Sequence, residues 1–303
     1  MTGDQAPDSQ PAPRRLRVGL TQWHATRDVN SNVAVACKLI AECAADGAEV
    51  VLLPENGLMF GTNAEMRAAA IRLDGDEIRR LREAAKTYGT TVVLGGAKRI
   101  AADGGPARNT AIVIGPDGEY AGGYDKIHLF NARVGGQSFE ASSVEQAGSQ
   151  PTLLRLRDVL VGLTICYDVR FPELYRRLAL AGAEVLFVPA AFTRATGQAH
   201  WETLLRARAI ENAAYVVASA TTGDGRDDAF PTYGHALVVD PWGQVLTDLR
   251  DAPLASAVLD LNLDTVTLTR ERLPVLRGIR PEAYATEPVT VSVGAGSKER
   301  SDD

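Results

Sequence analysis

The sequence predicts an α/β protein built as two similar halves, with two sheets packed face to face and helices outside. Three observations carry this. Short continuous apolar runs, of the kind buried on both faces of a sheet, alternate with helix-like segments. The order strand, helix, strand, helix, strand, hairpin occurs twice. The two hairpins turn on similar chemistry, Gly115-Pro116-Asp117-Gly118 and Asp240-Pro241-Trp242-Gly243. Elements that alternate in this way stack in layers around a common core.

The first half opens with Leu16 to Gln22, an alternating strand. Asp28-Val29-Asn30 starts a helix that runs to Gly47 and carries Cys37 and Cys43, both read as packing residues. Glu49 to Leu53 is a short buried strand that ends in Pro54-Glu55-Asn56-Gly57. Gly75 to Gly89 is a helix with Ile78, Leu81, Ala84 and Ala85 on one face, and Thr91 to Gly96 is the next strand. Asn109 to Ile114 and Glu119 to Tyr124 form a hairpin that delivers Asp125-Lys126-Ile127-His128. Arg133 to Gln150 is polar and Gly/Ser-rich, and reads as a long loop.

The second half repeats the plan. Thr152 to Leu156 and Val159 to Ile165 make a hairpin that ends at Cys166. Pro172 opens a helix that Gly182 stops. Glu184 to Val188 is a strand ending in Pro189, as Leu53 led to Pro54. A helix over His200 to Ala214, a strand over Tyr215 to Ala220, a hairpin over Gly234 to Leu246 and a last strand over Ser256 to Leu261 complete it. The expected organisation is a single domain over 15–286, with a disordered extension at 1–14 and a flexible tail at 287–303.

With 303 residues the chain is long enough to bury a core without covalent staples. Its formal charge of −6 argues against a general binder of nucleic acid or anionic membrane. No apolar run approaches a membrane span. Three cysteines, an odd count in a chain with a large core, point to a reducing compartment, read as the cytoplasm. No Walker loop, dinucleotide glycine motif, Cys-x-x-Cys or His-Glu-x-x-His is present, and the histidines show no metal-ligand spacing.

Three polar residues end buried segments: Glu55, Lys126 and Cys166. Each has a plain reading, as a loop carboxylate, a snorkelling lysine and a packed thiol. Together they have a chemical one. Cys166 sits where a strand gives way to a helix, where free N–H groups and the helix dipole favour a thiolate and lower the thiol pKa. Glu55, desolvated and raised in pKa, is placed to take its proton. Lys126 and the Tyr167 N–H would hold the oxyanion formed by attack on an amide or nitrile carbon. A Cys–His pairing with His128, His200 or His235 is the competing arrangement.

Leu53-Pro54-Glu55, Tyr124 to Phe130 and Cys166-Tyr167-Asp168-Val169-Arg170-Phe171-Pro172-Glu173-Leu174 resemble, in order and spacing, the three signature segments of the nitrilase (carbon–nitrogen hydrolase) superfamily. The resemblance implies a Glu–Lys–Cys triad at Glu55, Lys126 and Cys166. It also implies a four-layer α-β-β-α sandwich, commonly a homodimer, and chemistry without a metal or organic cofactor. Ala191 to Asn212, Tyr233-Gly234-His235 and Leu273 to Arg277 are similar to the branch that contains deaminated-glutathione amidase and ω-amidase. The expected reaction is hydrolysis of a small, carboxylated primary amide to acid and ammonia through a Cys166 thioester. Arg170 and Arg194 are the candidates to pair with the substrate carboxylate.

One departure stands out. The family usually carries a further Glu in the loop after the lysine. Aligned without a gap, Ala141 takes that position and Glu140 lies one residue early, so Glu140 is the candidate to fill the role. The alternatives are a nitrilase, an N-carbamoyl amide hydrolase with the same triad, and a degenerate binding protein without catalysis.

Overall fold

The structure is a computed structural model and describes residues 13–100, 105–225, 230–291 and 293. Most of the expected terminal extensions, 1–12 and 294–303, lies outside the described residues. The first half contains β1 (Arg15–Trp23), α1 (Val29–Ala45), β2 (Val50–Leu52), α2 (Asn63–Ala68), α3 (Asp76–Tyr88), β3 (Thr91–Arg99), β4 (Arg108–Ile114) and β5 (Tyr120–Asp125). The Asp28 side chain caps α1 by accepting from the Ser31 N–H, and Gly89 ends α3 at φ 62°.

Two antiparallel strands follow, β6 (Asn131–Val134) and β7 (Gln137–Glu140). Here the structure differs from the long loop read over 133–150. Gly135 and Gly136, at φ 58° and 80°, turn a tight hairpin inside that stretch. Its strands are short and largely exposed, so they carry no apolar alternation to reveal them.

The second half contains β8 (Thr152–Leu156), β9 (Val159–Leu163), a 3₁₀ turn over Cys166–Arg170, α4 (Pro172–Leu180), β10 (Val185–Phe187), α5 (Arg194–Asn212) and β11 (Tyr215–Ala218). It continues through β12 (Ala220–Gly223), β13 (Thr232–Tyr233), β14 (Leu237–Val239), β15 (Val245–Asp248) and β16 (Leu254–Asn262), and ends in α6 (Asp264–Arg272) and α7 (Pro281–Tyr284). Helix α5 begins two turns before the expected His200.

The repeat is visible strand by strand. In one sheet β1, β2 and β3 run parallel, and β4 and β5 return antiparallel. In the other β9, β10 and β11 run parallel, and β14 and β15 return antiparallel. An antiparallel strand flanks each first strand, β16 beside β1 and β8 beside β9. The last strand of the chain thus completes the first sheet. After β11 the chain also crosses over, and β12 pairs with the end of β1. Ser219 Oγ, at that crossing, donates to the Leu52 carbonyl at 2.7 Å and ties the sheets together.

Strand alternation assigns the layers. Val50 and Leu52 join the core shared with Val161, Leu163, Val185 and Phe187 of the second sheet. Val51 and Leu53 face the other way, onto Val33, Leu39 and Ile40 of α1 and Ile78 and Leu81 of α3. Leu174 and Leu178 of α4 and Leu205 and Ala209 of α5 cover the second sheet. At Gly95 the packing is tight, where an added Cβ would lie 1.9 Å from the Leu53 carbonyl at the end of the neighbouring strand and 2.2 Å from Pro189 Cβ of the other sheet. The carboxyl ends of β2 and β10 converge there.

Candidate active site

Glu55, Lys126 and Cys166 each follow the carboxyl end of a strand, β2, β5 and β9, and the fold brings all three to one point. They are buried, at 3%, 5% and 9% exposure. Lys126 Nζ donates to Glu55 Oε1 at 2.6 Å, and Asn109 Nδ2 donates to the same oxygen at 2.9 Å. The Ala191 N–H donates to Glu55 Oε2 at 2.9 Å. Cys166 lines the same pocket floor, close enough for the Glu55 carboxylate to act on its thiol.

The backbone at Cys166 is strained, at φ 47°, the left-handed region that costs a non-glycine residue about 1–2 kcal/mol. Its N–H donates to the Pro189 carbonyl at 2.9 Å. Asp168, fully buried, holds the turn. It accepts from the Ile165 N–H at 2.9 Å, the Tyr124 hydroxyl at 2.8 Å and the His128 N–H at 3.1 Å, and pairs with His128 Nδ1 at 2.7 Å. His128 stacks on Phe171 with ring centroids 3.6 Å apart. One carboxylate therefore joins the cysteine turn to the segment carrying Lys126, and His128 serves that junction.

The electrostatics reverse two expectations from the sequence. Burial pushes the Glu55 carboxyl up, but Lys126, Lys98 and its hydrogen bonds outweigh that and hold it near about 2. Burial, and then the Glu55 carboxylate, push the Cys166 thiol well above the usual cysteine range despite Lys126. Burial draws Lys126 down, but Glu55, Cys166 and Glu145 hold its ammonium above the usual lysine range. At neutral pH the site thus holds a carboxylate, an ammonium and a neutral thiol. The turn at Cys166 and the partner Glu55 are both legible in the sequence; the depth of burial that, with Glu55, outweighs the turn is not.

Above these groups opens a pocket of about 600 Å³, measured out to its mouth. Tyr167 and Arg170 line it, with Phe130, Phe139 and Phe230 forming an aromatic wall. The Arg170 guanidinium lies over the Phe192 ring at 5.1 Å and the Tyr167 ring at 5.9 Å, and contacts His200 Nδ1 at 3.2 Å. No carboxylate among the described residues pairs with it. Arg194 is not part of the pocket lining and donates instead to the Gly223 carbonyl at 3.3 Å. Glu140 is exposed at the end of β7.

The loop carboxylate that does reach the pocket is Glu145, which the sequence reading passed over. It is buried in an ion pair with Lys98 at 2.5 Å, and both line the pocket together with Ala141. The sequence carries no local signal for that pair. Among the described residues no group of three His, Cys, Asp or Glu side chains could hold a metal ion. Among the same residues no helix is long and apolar enough to cross a membrane.

The family model for the carbon–nitrogen hydrolases matches residues 17–271, and the chain belongs to that family of hydrolases acting on carbon–nitrogen bonds other than peptide bonds. It is 40% identical over 254 residues to the deaminated glutathione amidase of Synechocystis sp., a match covering 82% of this chain and 93% of that protein. It is 37% identical over 278 residues to the omega-amidase NIT2 of Mus musculus, covering 90% of this chain and 98% of the relative. The structure of the C. elegans NitFhit protein superposes with a TM-score of 0.82 at 35% identity, over 90% of this chain and 67% of that one.

Proposed function

We propose that this chain is an amidase that hydrolyses a small, carboxylated primary amide to the acid and ammonia, with Cys166 as nucleophile. The observation that carries the reading is the meeting of Glu55, Lys126 and Cys166 as buried groups in one pocket, with Lys126 Nζ donating to Glu55 Oε1 at 2.6 Å. Glu55 takes the thiol proton as Sγ attacks the amide carbon. The oxyanion is held by Lys126 and by the Tyr167 N–H at the start of the 3₁₀ turn. The carbon–nitrogen bond breaks, and ammonia leaves with the proton that Glu55 had taken. Water, deprotonated by the same carboxylate, attacks the thioester and releases the acid. This sequence of steps calls for no metal or organic cofactor. The kinship to amidases named for deaminated glutathione and for ω-amides supports the reaction type.

Arg170 supports the carboxylated substrate. It lines the pocket as a cation without an acidic partner among the described residues, and its fork matches a carboxylate. Arg194 has no such support, because it lies outside the lining. Three free cysteines support a reducing compartment, the cytoplasm. Exposed Leu180 on α4, Ile210 on α5 and Trp242 beyond β14 support assembly with a second copy, a homodimer or larger, which light scattering in solution tests.

Ammonia release from deaminated glutathione, α-ketoglutaramate, a neutral aliphatic amide, a nitrile and an N-carbamoyl amino acid tests the function. The expected result is turnover of a carboxylated amide that is lost in Cys166→Ala. Preference for the nitrile or the carbamoyl compound, or turnover that survives Cys166→Ala, overturns it.

A further inference from the structure

Beside the Glu55–Lys126 pair lies a second buried ion pair that the reaction does not use. Lys98, near the end of β3, meets Glu145 at 2.5 Å, with side chains 8% and 3% exposed. Both face the pocket that holds Glu55, Lys126 and Cys166. Burying an ion pair costs desolvation that its attraction barely offsets, so stability alone is a weak reason for one. The backbone around Glu145 is tied to the reacting groups. The Gln146 N–H donates to the Ala107 carbonyl at 2.9 Å, beside β4, and the Gly148 N–H donates to the Lys126 carbonyl at 2.8 Å.

We propose that Lys98 and Glu145 are positioning residues that occupy one another, so that Glu55 and Lys126 keep each other and the thiol as their partners. The charges alternate across the pocket, Glu145, Lys98, Glu55, Lys126. With Glu145 neutralised, the Lys98 ammonium turns to Glu55, the other carboxylate that lines the pocket, and draws it from Lys126 and Cys166. With Lys98 neutralised, the Glu145 carboxylate turns to Lys126 and draws it from Glu55. Field effects already run along both lines, from Lys98 onto Glu55 and from Glu145 onto Lys126. The pair also places a carboxylate in the pocket wall where Ala141 offers none.

The test compares the full-length protein with Glu145→Gln, Lys98→Met and the double variant. Turnover of the preferred amide is one readout. The rate of Cys166 alkylation by iodoacetamide at pH 8, followed by peptide mass spectrometry, is the other. Turnover depends on the amidase reading; alkylation does not, so the two can fail separately. Losing the Glu145 charge leaves the site more positive and favours the thiolate, whereas losing Lys98 does the opposite. The expected results for Glu145→Gln are turnover down at least tenfold with KM within threefold, and alkylation up at least threefold. For Lys98→Met, alkylation falls at least threefold. The double variant returns alkylation to within twofold of the parent and regains most of the turnover. Buried Cys43 stays unmodified throughout and marks folded protein. Either single variant alone carries the sign test, so a misfolded one leaves the other. Alkylation that is unmoved or lowered in Glu145→Gln, or unmoved or raised in Lys98→Met, overturns the proposal, as does turnover within threefold of the parent in Glu145→Gln.

Discussion

Replacing Asp168 with Asn changes almost no volume and removes one charge at the junction of the cysteine turn and the lysine segment. Four groups converge on that carboxylate: the Ile165 N–H and Tyr124 hydroxyl on one oxygen, and the His128 N–H and ring on the other. An amide keeps one acceptor oxygen. If its nitrogen faces His128, the ring can switch tautomer and accept, but the His128 N–H is orphaned. If its nitrogen faces the other pair, both the Ile165 N–H and the Tyr124 hydroxyl lose an acceptor. A hydrogen bond to a charged group contributes about 1.5–3 kcal/mol, and an orphaned buried donor costs about 1–3 kcal/mol. The expected loss is therefore about 3 kcal/mol, or roughly 6–12 °C in Tm for a large domain. The strained Cys166 backbone loses its clamp, so kcat falls by about tenfold or more through misplacement. Thermal unfolding and steady-state ammonia release measure the two effects. A Tm within 1 °C and a kcat within twofold of the parent would refute the reasoning, because the junction would then carry neither the turn nor the site.

Glu55→Gln should lower kcat by about 10²–10⁴-fold, the range of a general base, yet speed Cys166 alkylation at pH 8, because the anion that holds the thiol protonated is gone. The same carboxylate has its folded pKa depressed, so the stability it contributes is present above about pH 5 and lost as pH falls toward 2. Denaturant unfolding at pH 3, 5 and 7 should show a smaller acid loss in Glu55→Gln than in the parent. Arg170→Met should raise KM for the carboxylated amide about 10–100-fold, the worth of one charge-assisted hydrogen bond, and leave a neutral amide within threefold; equal effects on both would remove Arg170 from recognition. Gly95→Ala should cost about 3 kcal/mol or fail to fold, since its Cβ meets backbone and proline rather than a flexible side chain. Unfolding by denaturant, with a midpoint equal to the parent's, would contradict the close approach of the sheets there.

Much of this architecture was readable from local pattern. The continuous runs Val50 to Leu53 and Val185 to Val188, the capping Asp28 and the terminating Gly89 express their structure within a few residues. The meeting of Glu55, Lys126 and Cys166 in one pocket was readable in part, because Glu55 and Cys166 follow such runs; Lys126 follows the less buried β5. Helix α2 was missed although Thr62 and Glu65 form a capping box, a signal that was present and went unused. Other features depend on distances between remote segments. Nothing near Ser256 tells that β16 completes the first sheet, and nothing near Ala220 tells that the chain changes sheets there. The state of Cys166 was misread for the same reason. Its turn argues for a thiolate, but burial, and then the Glu55 carboxylate from 111 positions earlier, push the thiol the other way. Lys98 and Glu145 are 47 positions apart and meet only once the fold is formed.

The most direct test of the central claim is the mass of the protein during turnover. The enzyme is mixed with its preferred carboxylated amide, quenched in acid within the first turnovers, and weighed intact and as peptides. The account predicts an added acyl group, the substrate less ammonia, on the peptide containing Cys166 and on no other. The adduct should be absent from Cys166→Ala. Ammonia release at full rate with no adduct, or an adduct on Cys37 or Cys43, would contradict the assignment of Cys166 as the nucleophile.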